Sequence, residues 1–298
     1  MFIIKYKKIF LSISAAIVGL SILAILIWGL PLGIDFKGGA LMQVSFKDAR
    51  PTVTTLEKAV APLSLGQVVF QEDSTDGYFV KTRSLTEAER VSLLGAVNSA
   101  GTATEKSFTS IGPSVGAELA RKAIVSMILV VIAIVLFIAY AFRKVAKPVS
   151  SWKYGLIAIV TLIHDVAIPS GVFAILGHFA GAQVDSLFVV ALLTVLGLSV
   201  SDTIVVFDRI RENLKLHTES TFAGTVGKSL SQTITRSINT SLTVILVLLV
   251  LFFVGPASTK DFALVLIVGM FFGTYSSIFV ASPILVLVEA VQAKKKKK

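Results

Sequence analysis

SLFVVALLTVLGLSVSDTIVVF, residues 186–207, runs for twenty-two residues with a single charge, Asp202. A bilayer core about 30 Å thick needs about 20 apolar residues rising 1.5 Å each, so the stretch reads as a transmembrane helix. A carboxylate set among such residues costs roughly 2.5–3.5 kcal/mol on insertion scales, which makes it a functional-site hypothesis from the outset. Five further apolar runs, at residues 9–30, 123–142, 154–176, 237–254 and 262–288, bring the expected spans to six. The composition agrees: 54% of residues are hydrophobic and 15% charged, against about 25% charged in an ordinary soluble domain. Mean hydropathy is +0.84.

The charge map orients the chain. Net charge is +10, yet residues 31–122 carry ten basic and ten acidic side chains and are neutral. The excess lies in segments 1–8, 143–153, 209–228 and 294–298, which hold three, four, four and five Lys or Arg residues. The opposite short loops, 177–185 and 255–261, hold only Lys260. That asymmetry is orientation chemistry rather than nucleic-acid binding, and it places both termini in the cytoplasm and residues 31–122 outside. The first run follows MFIIKYKK, exceeds 20 apolar residues and lacks a small-x-small cleavage site before Pro31, so a retained anchor is expected. The five-lysine tail reads either as a positive-inside clamp or as a contact with anionic lipid or ribosomal RNA. With no cysteine, disulfides, thiolate metal sites and thiol nucleophiles are excluded.

Four parts follow: residues 1–30, the N-terminus and first span; 31–122, an extracytoplasmic domain; 123–290, spans two to six; and 291–298, a basic tail. Within the second part, ALMQVSF (40–46) alternates as a strand, and TVTTLEKAVAPL (52–63) opens a helix with Thr52 as N-cap. QVVFQ (67–71) and GYFVKTR (77–83) are strands joined by the turn EDSTDG. TEAERVSLLGAVNSAG (86–101) is a helix with a Thr86–Glu89 capping box, and TEKSFTSIG (104–112) is a last strand. The order βαββαβ is that of an α+β ferredoxin-like domain. Glu72, Asp73 and Asp76 share one turn, a solvated loop or a cation site. Glu118, Arg121 and Lys122 in GPSVGAELARKAI (112–124) suit an amphipathic helix lying in the membrane interface.

Inside the membrane segments, Asp202 lies about five residues, or roughly 8 Å, short of the cytoplasmic end of its span. Arg236, at the start of the fifth span's hydrocarbon region, falls at a matching depth. An Asp202–Arg236 pair would satisfy the acid, and protonation would release the arginine. Asp202 is thus read either as a proton-coupling group or as part of a structural ion pair or interhelix hydrogen bond. Ser199 shares its helix face, and Ser201 and Thr203 add hydroxyls beside it. His164 and Asp165 lie midway along the third span; His164 either relays a proton or is a packed histidine. Gly269-x-x-x-Gly273 followed by Ser277 and Ala281 forms a small-residue ridge for close helix packing. Asp208, Arg209 and Arg211 read as a solvated helix end. No GxxxxGK[ST] or HExxH motif is present; no enzyme activity and no cofactor are expected, and energy would come from an ion gradient or a partner.

Together GIDFKGGALMQVSF (33–46), GPSVGAELA (112–120), HDV (164–166), GLSVSDTIVVFDRIREN (197–213), TRSINTSLTVILVLLVLFFVG (235–255) and GTYSSIFVASPI (273–284) resemble SecF. SecF is the smaller half of the SecDF protein-export complex, of the resistance-nodulation-division superfamily. The resemblance runs from first helix to last, with Asp35, Gly38, Gly39, Asp208 and Arg209 among its motif residues. It implies six membrane helices, cytoplasmic termini and a ferredoxin-like extracytoplasmic domain. It also implies partnership with SecD, the SecYEG channel and, indirectly, SecA, with YajC and YidC as further associates. The implied role is use of the proton-motive force to assist export of unfolded preproteins. By motif, the family's intramembrane aspartate falls on Asp202 and its arginine on Arg236. Ser201 stands where family members often have Asn, and Lys37 occupies the variable position of IDF-x-GG. A separate SecD chain would share the proton route. Two other functions remain in view: a proton-driven small-molecule or lipid exporter of the same superfamily, and a non-conducting translocon assembly factor. Exporters of that superfamily usually have much larger extracytoplasmic domains.

Overall fold

The computed structural model describes residues 2–73, 76–142 and 149–295. The centre of the 72–77 turn, the basic residues Arg143, Lys144 and Lys147, and the last three lysines lie outside the described residues. In chain order the elements are α1 (Phe2–Lys5), α2 (Lys7–Trp28), α3 (Ile34–Lys37), β1 (Gly39–Phe46), α4 (Val53–Val60), a 3₁₀ turn (Ala61–Leu63), β2 (Val69–Glu72), β3 (Gly77–Thr82), α5 (Glu87–Ala100) and β4 (Ala103–Ile111). The long helices α6 (Pro113–Ala141), α7 (Ser151–Ala180), α8 (Ser186–Lys215), α9 (Phe222–Val254) and α10 (Ala257–Ser276) follow. A π-turn (Ser277–Ala281) then joins α10 to α11 (Ser282–Lys295). Among the described residues, six helices are long and apolar enough to cross a membrane. The last of them runs through α10, the π-turn and α11.

Two units divide the chain: Met1–Leu30, Val125–Ala182 and Leu187–Lys298 form one, and Pro31–Ile124 with Gln183–Ser186 form the other. In the second, an antiparallel four-stranded sheet runs in the order β2-β3-β1-β4. Alternation in β1 sends Met42, Val44 and Phe46 to one face, where they meet Leu56 and Val60 of α4 and Leu93 and Val97 of α5 in a closed core. Local chemistry sets the helix starts. The Thr52 hydroxyl accepts from the Thr55 N–H at 3.4 Å, and Thr86 and Glu89 form a reciprocal capping box.

The helical unit packs around α7 and α8. Phe142 stacks on Tyr154 at 5.4 Å, and Phe207 meets both rings edge-on. Leu196, Val200, Ile210, Val226, Leu230, Ile278 and Leu285 extend the same core. The helices outrun the apolar spans at their polar ends. α8 continues eight residues past Phe207, because DRIREN has no Gly or Pro and makes Asp208–Arg211 and Arg209–Glu212 pairs at helical spacing. α9 starts at Phe222, fifteen residues before the apolar run, capped by the Thr221 hydroxyl. The expected separate interfacial helix at 112–124 gives way to one unbroken helix, α6, from Pro113 to Ala141. No Gly or Pro interrupts residues 117–141, and nothing else there favours a break.

The capping box yields a direct test. The Arg83 guanidinium, followed by the Thr86 N–H and hydroxyl, holds the Glu89 carboxyl at about 2, well below its ordinary 4.5. Because the folded value is the lower one, the stability drawn from this carboxylate is complete above 4.5 and drains as pH falls through about 2. An NMR titration of labelled glutamate should place Glu89 near the lower value, and ordinary titration near 4.5 would contradict the capping geometry. Thr86→Ala should destabilise the unit by about 1 kcal/mol in denaturant unfolding.

Candidate functional site

Four helices bring polar side chains together inside the helical unit. From α8, Asp202 accepts two hydroxyl hydrogen bonds. Ser237 of α9 donates to one carboxylate oxygen and Ser277 of the π-turn donates to the other. From α7, the fully buried Asp165 has three neighbours. Its Oδ1 lies 2.9 Å from His164 Nδ1, while Oδ2 accepts from Ser199 of α8 at 2.5 Å and from Ser276 of α10 at 2.9 Å. Consecutive serines, 276 and 277, therefore serve two acids on two different helices. Each also reaches a carbonyl one turn back: Ser276 to Gly273 at 2.9 Å and Ser277 to Thr274 at 3.0 Å.

The π-turn that begins at Ser277 has a local cause. Pro283 has no N–H and crowds the carbonyl four residues earlier, so a widened turn before it relieves the clash. The Ser282 hydroxyl donates to the Ser277 carbonyl at 3.3 Å, across that widened turn.

Close approach of α10 to α8 depends on missing side chains. A Cβ on Gly269 would lie 2.3 Å from Val195 Cγ2, and one on Gly273 would lie 3.0 Å from Ser199 Cβ. The ridge Gly269, Gly273, Ser277 thus lies against Val195, Ser199 and Asp202 in sequence. Gly171 of α7 does the same for α2, where a Cβ would come within 2.4 Å of Ser21 Cβ.

A cavity of about 110 Å³ lies beside Asp202, lined by Leu198, Ser199, Ser201, Asp202, Val205, Arg236, Thr240, Ser241, Val244, Gly269, Met270 and Thr274. A second, of about 420 Å³, is lined by Asp208, Arg209, Arg211, Glu212, Gln232 and Arg236 among others, and shares Val205 and Arg236 with the first. The anticipated Asp202–Arg236 ion pair is absent among the described residues. The carboxylate is turned to Ser237 and Ser277, and Arg236 shares its cavity instead.

The remaining sequence-derived residues fall as follows. His164 and Asp165 pair, and the His164 ring lies parallel to Tyr275 at 6.2 Å. His164 Nε2 and Thr203 Oγ1 are buried without a hydrogen-bond partner among the described residues. Ser199 serves Asp165 rather than Asp202, while Ser201 faces the cavity. Asp208 pairs with Arg211, but Arg209 does more than end a helix. It binds Gln232 of α9 at 2.8 Å, and Gln232 also accepts from the buried Asn213 at 2.8 Å. Asp35, Gly38 and Gly39 lie in the other unit, where Asp35 accepts from the Ser186 N–H at 2.9 Å. Sequence reasoning missed Ser237 and Ser276 as hydroxyl donors, and placed Ser277 only as a packing residue. No group of three or more His, Asp or Glu able to hold a metal occurs among the described residues.

Removal of the α8–α10 clearance should be costly. Gly269→Val forces a stiff side chain onto the fully buried Val195 and is expected to cost about 1–3 kcal/mol, read as a lowered unfolding temperature in detergent. An unchanged temperature would mean that the two helices are not in close contact there.

Comparison with known proteins adds a family. Residues 93–291 match the model for "Protein export membrane protein SecD/SecF, C-terminal", and residues 24–49 match the "SecD/SecF GG Motif". The protein translocase subunit SecF of Thermobaculum terrenum is 41% identical over 95% of this chain and 92% of its own length. That of Anaerolinea thermophila is 39% identical over 97% and 94%. The crystal structure of SecDF, a translocon-associated membrane protein from Thermus thermophilus, superposes with a TM-score of 0.84 at 31% identity. That match covers 96% of this chain and 38% of SecDF.

Proposed function

The chain belongs to the SecD/SecF family of protein-export membrane proteins, as a SecF-type accessory subunit of the Sec translocase; from that premise we propose that it couples export to the proton-motive force through Asp202. It is a multi-pass membrane protein. In this reading it lies in the cell membrane with both termini cytoplasmic, and residues 31–122 form a ferredoxin-like extracytoplasmic domain. The spans within 123–290 carry the proton, and the 291–298 tail stays inside. SecD is its partner, as the single-chain SecDF relatives of Thermus thermophilus and Bacillus subtilis suggest. The SecYEG channel, the preprotein and, at one remove, SecA, YajC and YidC complete the assembly. Catalysis of a covalent step has no part in it.

One observation carries the proposal. The Asp202 carboxylate, beside a cavity that it shares with Arg236, accepts hydrogen bonds from two different helical segments at once. An ionised carboxylate only accepts; a protonated one must also donate. Proton uptake would therefore turn one of the two contacts around. Ser277 has a place to go, because the Thr274 carbonyl 3.0 Å away can take its hydrogen while its oxygen accepts from the new acid O–H. The link between α8 and the π-turn then changes character while the link to Ser237 persists, or the reverse. That is a two-state element biased by one proton. Asp165 is built alike, since Ser276 can alternate between it and the Gly273 carbonyl. In this reading His164, Asp165 and Ser199 form a relay, with Ser201 and Thr203 beside it. Arg236 tunes the Asp202 cavity by its charge and joins it to the larger one.

The test is Asp202→Asn, which keeps size and hydrogen bonding but cannot carry a proton. With a SecD partner in membrane vesicles, the gradient-dependent gain in export should vanish while chain abundance stays level. An undiminished gain would sink the proton role and support the assembly-factor reading. Asp165→Asn should weaken the gain less severely, by the same assay.

A further inference from the structure

A column of ring contacts runs from the middle of the helical unit to the end where α1 lies. His164 of α7 lies parallel to Tyr275 of α10, with centroids 6.2 Å apart, and Tyr275 stacks on Phe279 of the π-turn at 4.8 Å. Phe279 meets Phe10 of α2 at 4.7 Å, Phe10 meets Phe2 of α1 at 6.1 Å, and Phe2 meets Tyr6 at 4.6 Å. Exposure falls along the column from 66% at Phe2 and 37% at Tyr6 to 4% at His164. Lys5 stands at the outer end, its ammonium 5.5 Å from the centre of the Tyr6 ring. At the inner end, His164 is thirteen residues from the start of α7 at Ser151, about 20 Å along the axis.

Two attachments hold the column in place. Although α1 is only four residues long, Ile3 and Ile4 are buried in the core that contains Val226 and Leu230 of α9 and Leu285 and Val286 of α11. Further in, Tyr275 Oη donates to the Phe10 carbonyl at 3.4 Å and ties α10 to α2. The Tyr275 hydroxyl is thus engaged away from His164, whose Nε2 has no hydrogen-bond partner among the described residues. The rings of Phe279 and Phe10 offer no group that can pass a proton, and an apolar constriction excludes the water that could. The other side of the pair differs in kind. There Asp165 accepts from Ser199 of α8 and Ser276 of α10, hydroxyls able both to donate and to accept. The His164–Asp165 pair therefore has one polar side and one dry side.

We propose that Phe10, Phe279 and Tyr275, fastened by Ile3 and Ile4, form a seal that closes the His164–Asp165 pair to water from the end of the helical unit where α1 lies. Proton exchange with the pair is thereby confined to the side of Ser199 and Ser276. Tyr275 and Phe279 flank the serines that bond Asp165 and Asp202, so the seal and the acids share one stretch of chain. Phe10 and Phe279 exclude water and handle no proton themselves. The inference rests on the relay role proposed for His164 and Asp165.

The chain has no cysteine, so a single introduced cysteine reports water access at its own position. The experiment uses the full chain with a cysteine-free SecD partner in membrane vesicles, and a charged, membrane-impermeant thiosulfonate that reacts with the hydrated thiolate. Leu216→Cys, exposed in the connection between α8 and α9, marks the face on which α1 packs. Reagent supplied at that face should label Leu216→Cys rapidly and His164→Cys slowly. Adding Phe279→Ala to His164→Cys should raise its labelling rate at least about tenfold, because loss of a packed ring eases local opening. Ile3→Ser with Ile4→Ser should raise the rate as well. Phe279→Leu, which keeps apolar bulk, should leave it low. The seal is overturned if His164→Cys reacts as fast as Leu216→Cys, or if Phe279→Ala or the Ile3 and Ile4 pair leaves the rate unmoved. An equal rise with Phe279→Leu would mark general loosening and overturn it too. Labelling needs neither a gradient nor export, so the seal is judged separately from the proton role, which Asp202→Asn and Asp165→Asn decide.

Discussion

A carboxylate enclosed by apolar helices must find its donors within the protein, and the rest of the helical unit is arranged around that requirement. Asp165 and Asp202 are met by four serines drawn from α8, α9, α10 and the π-turn. Serine suits the task because its hydroxyl both donates and accepts, and because its volume hardly exceeds that of alanine. A hydroxyl can donate to a carboxylate or accept from a carboxylic acid, which an arginine cannot do.

Such short side chains reach an acid only where backbones run close, so the polar chemistry depends on glycine. Gly269 and Gly273 let α10 settle on Val195 and Ser199 of α8, and this brings Ser276 and Ser277 within reach of their acids. In an ordinary helix consecutive residues point about 100° apart. Here that divergence is used, since Ser276 turns to α7 and Ser277 to α8 at the point where the π-turn begins. Helix packing and the hydrogen bonding of the two acids rest on the same contacts.

The other unit shows a similar economy. Its sheet and two helices close a small core, and the IDFKGG turn spends its glycines on close approach to Pro113 and Thr82. The first residue of α8 is held there by Asp35 and not by its own helical neighbours.

Much of this was legible in the chain. Apolar runs of bilayer length show as spans because hydropathy is a property of each residue alone, and Thr86 with Glu89 marks a helix start because a capping box closes within four residues. The costly Asp202 stood out for the same reason. The ends of α8 and α9 were cut short, since DRIREN and the polar start of α9 are helical through capping and i,i+3 pairs rather than through hydropathy. Partners were not legible. Charge and matching depth recommended Arg236 for Asp202, whereas Ser237 and Ser277 look in sequence like any small residue. A span announces how much apolar surface it carries, but its rotation and depth against a neighbour are set by which glycines let backbones touch. The sequence by itself determined the six spans, the strands and helices of the module between the first two, and the presence of acids within the spans. Only the tertiary structure decided which hydroxyls answer those acids, because hydrogen bonds between segments 34 to 111 residues apart are fixed by packing and by nothing local.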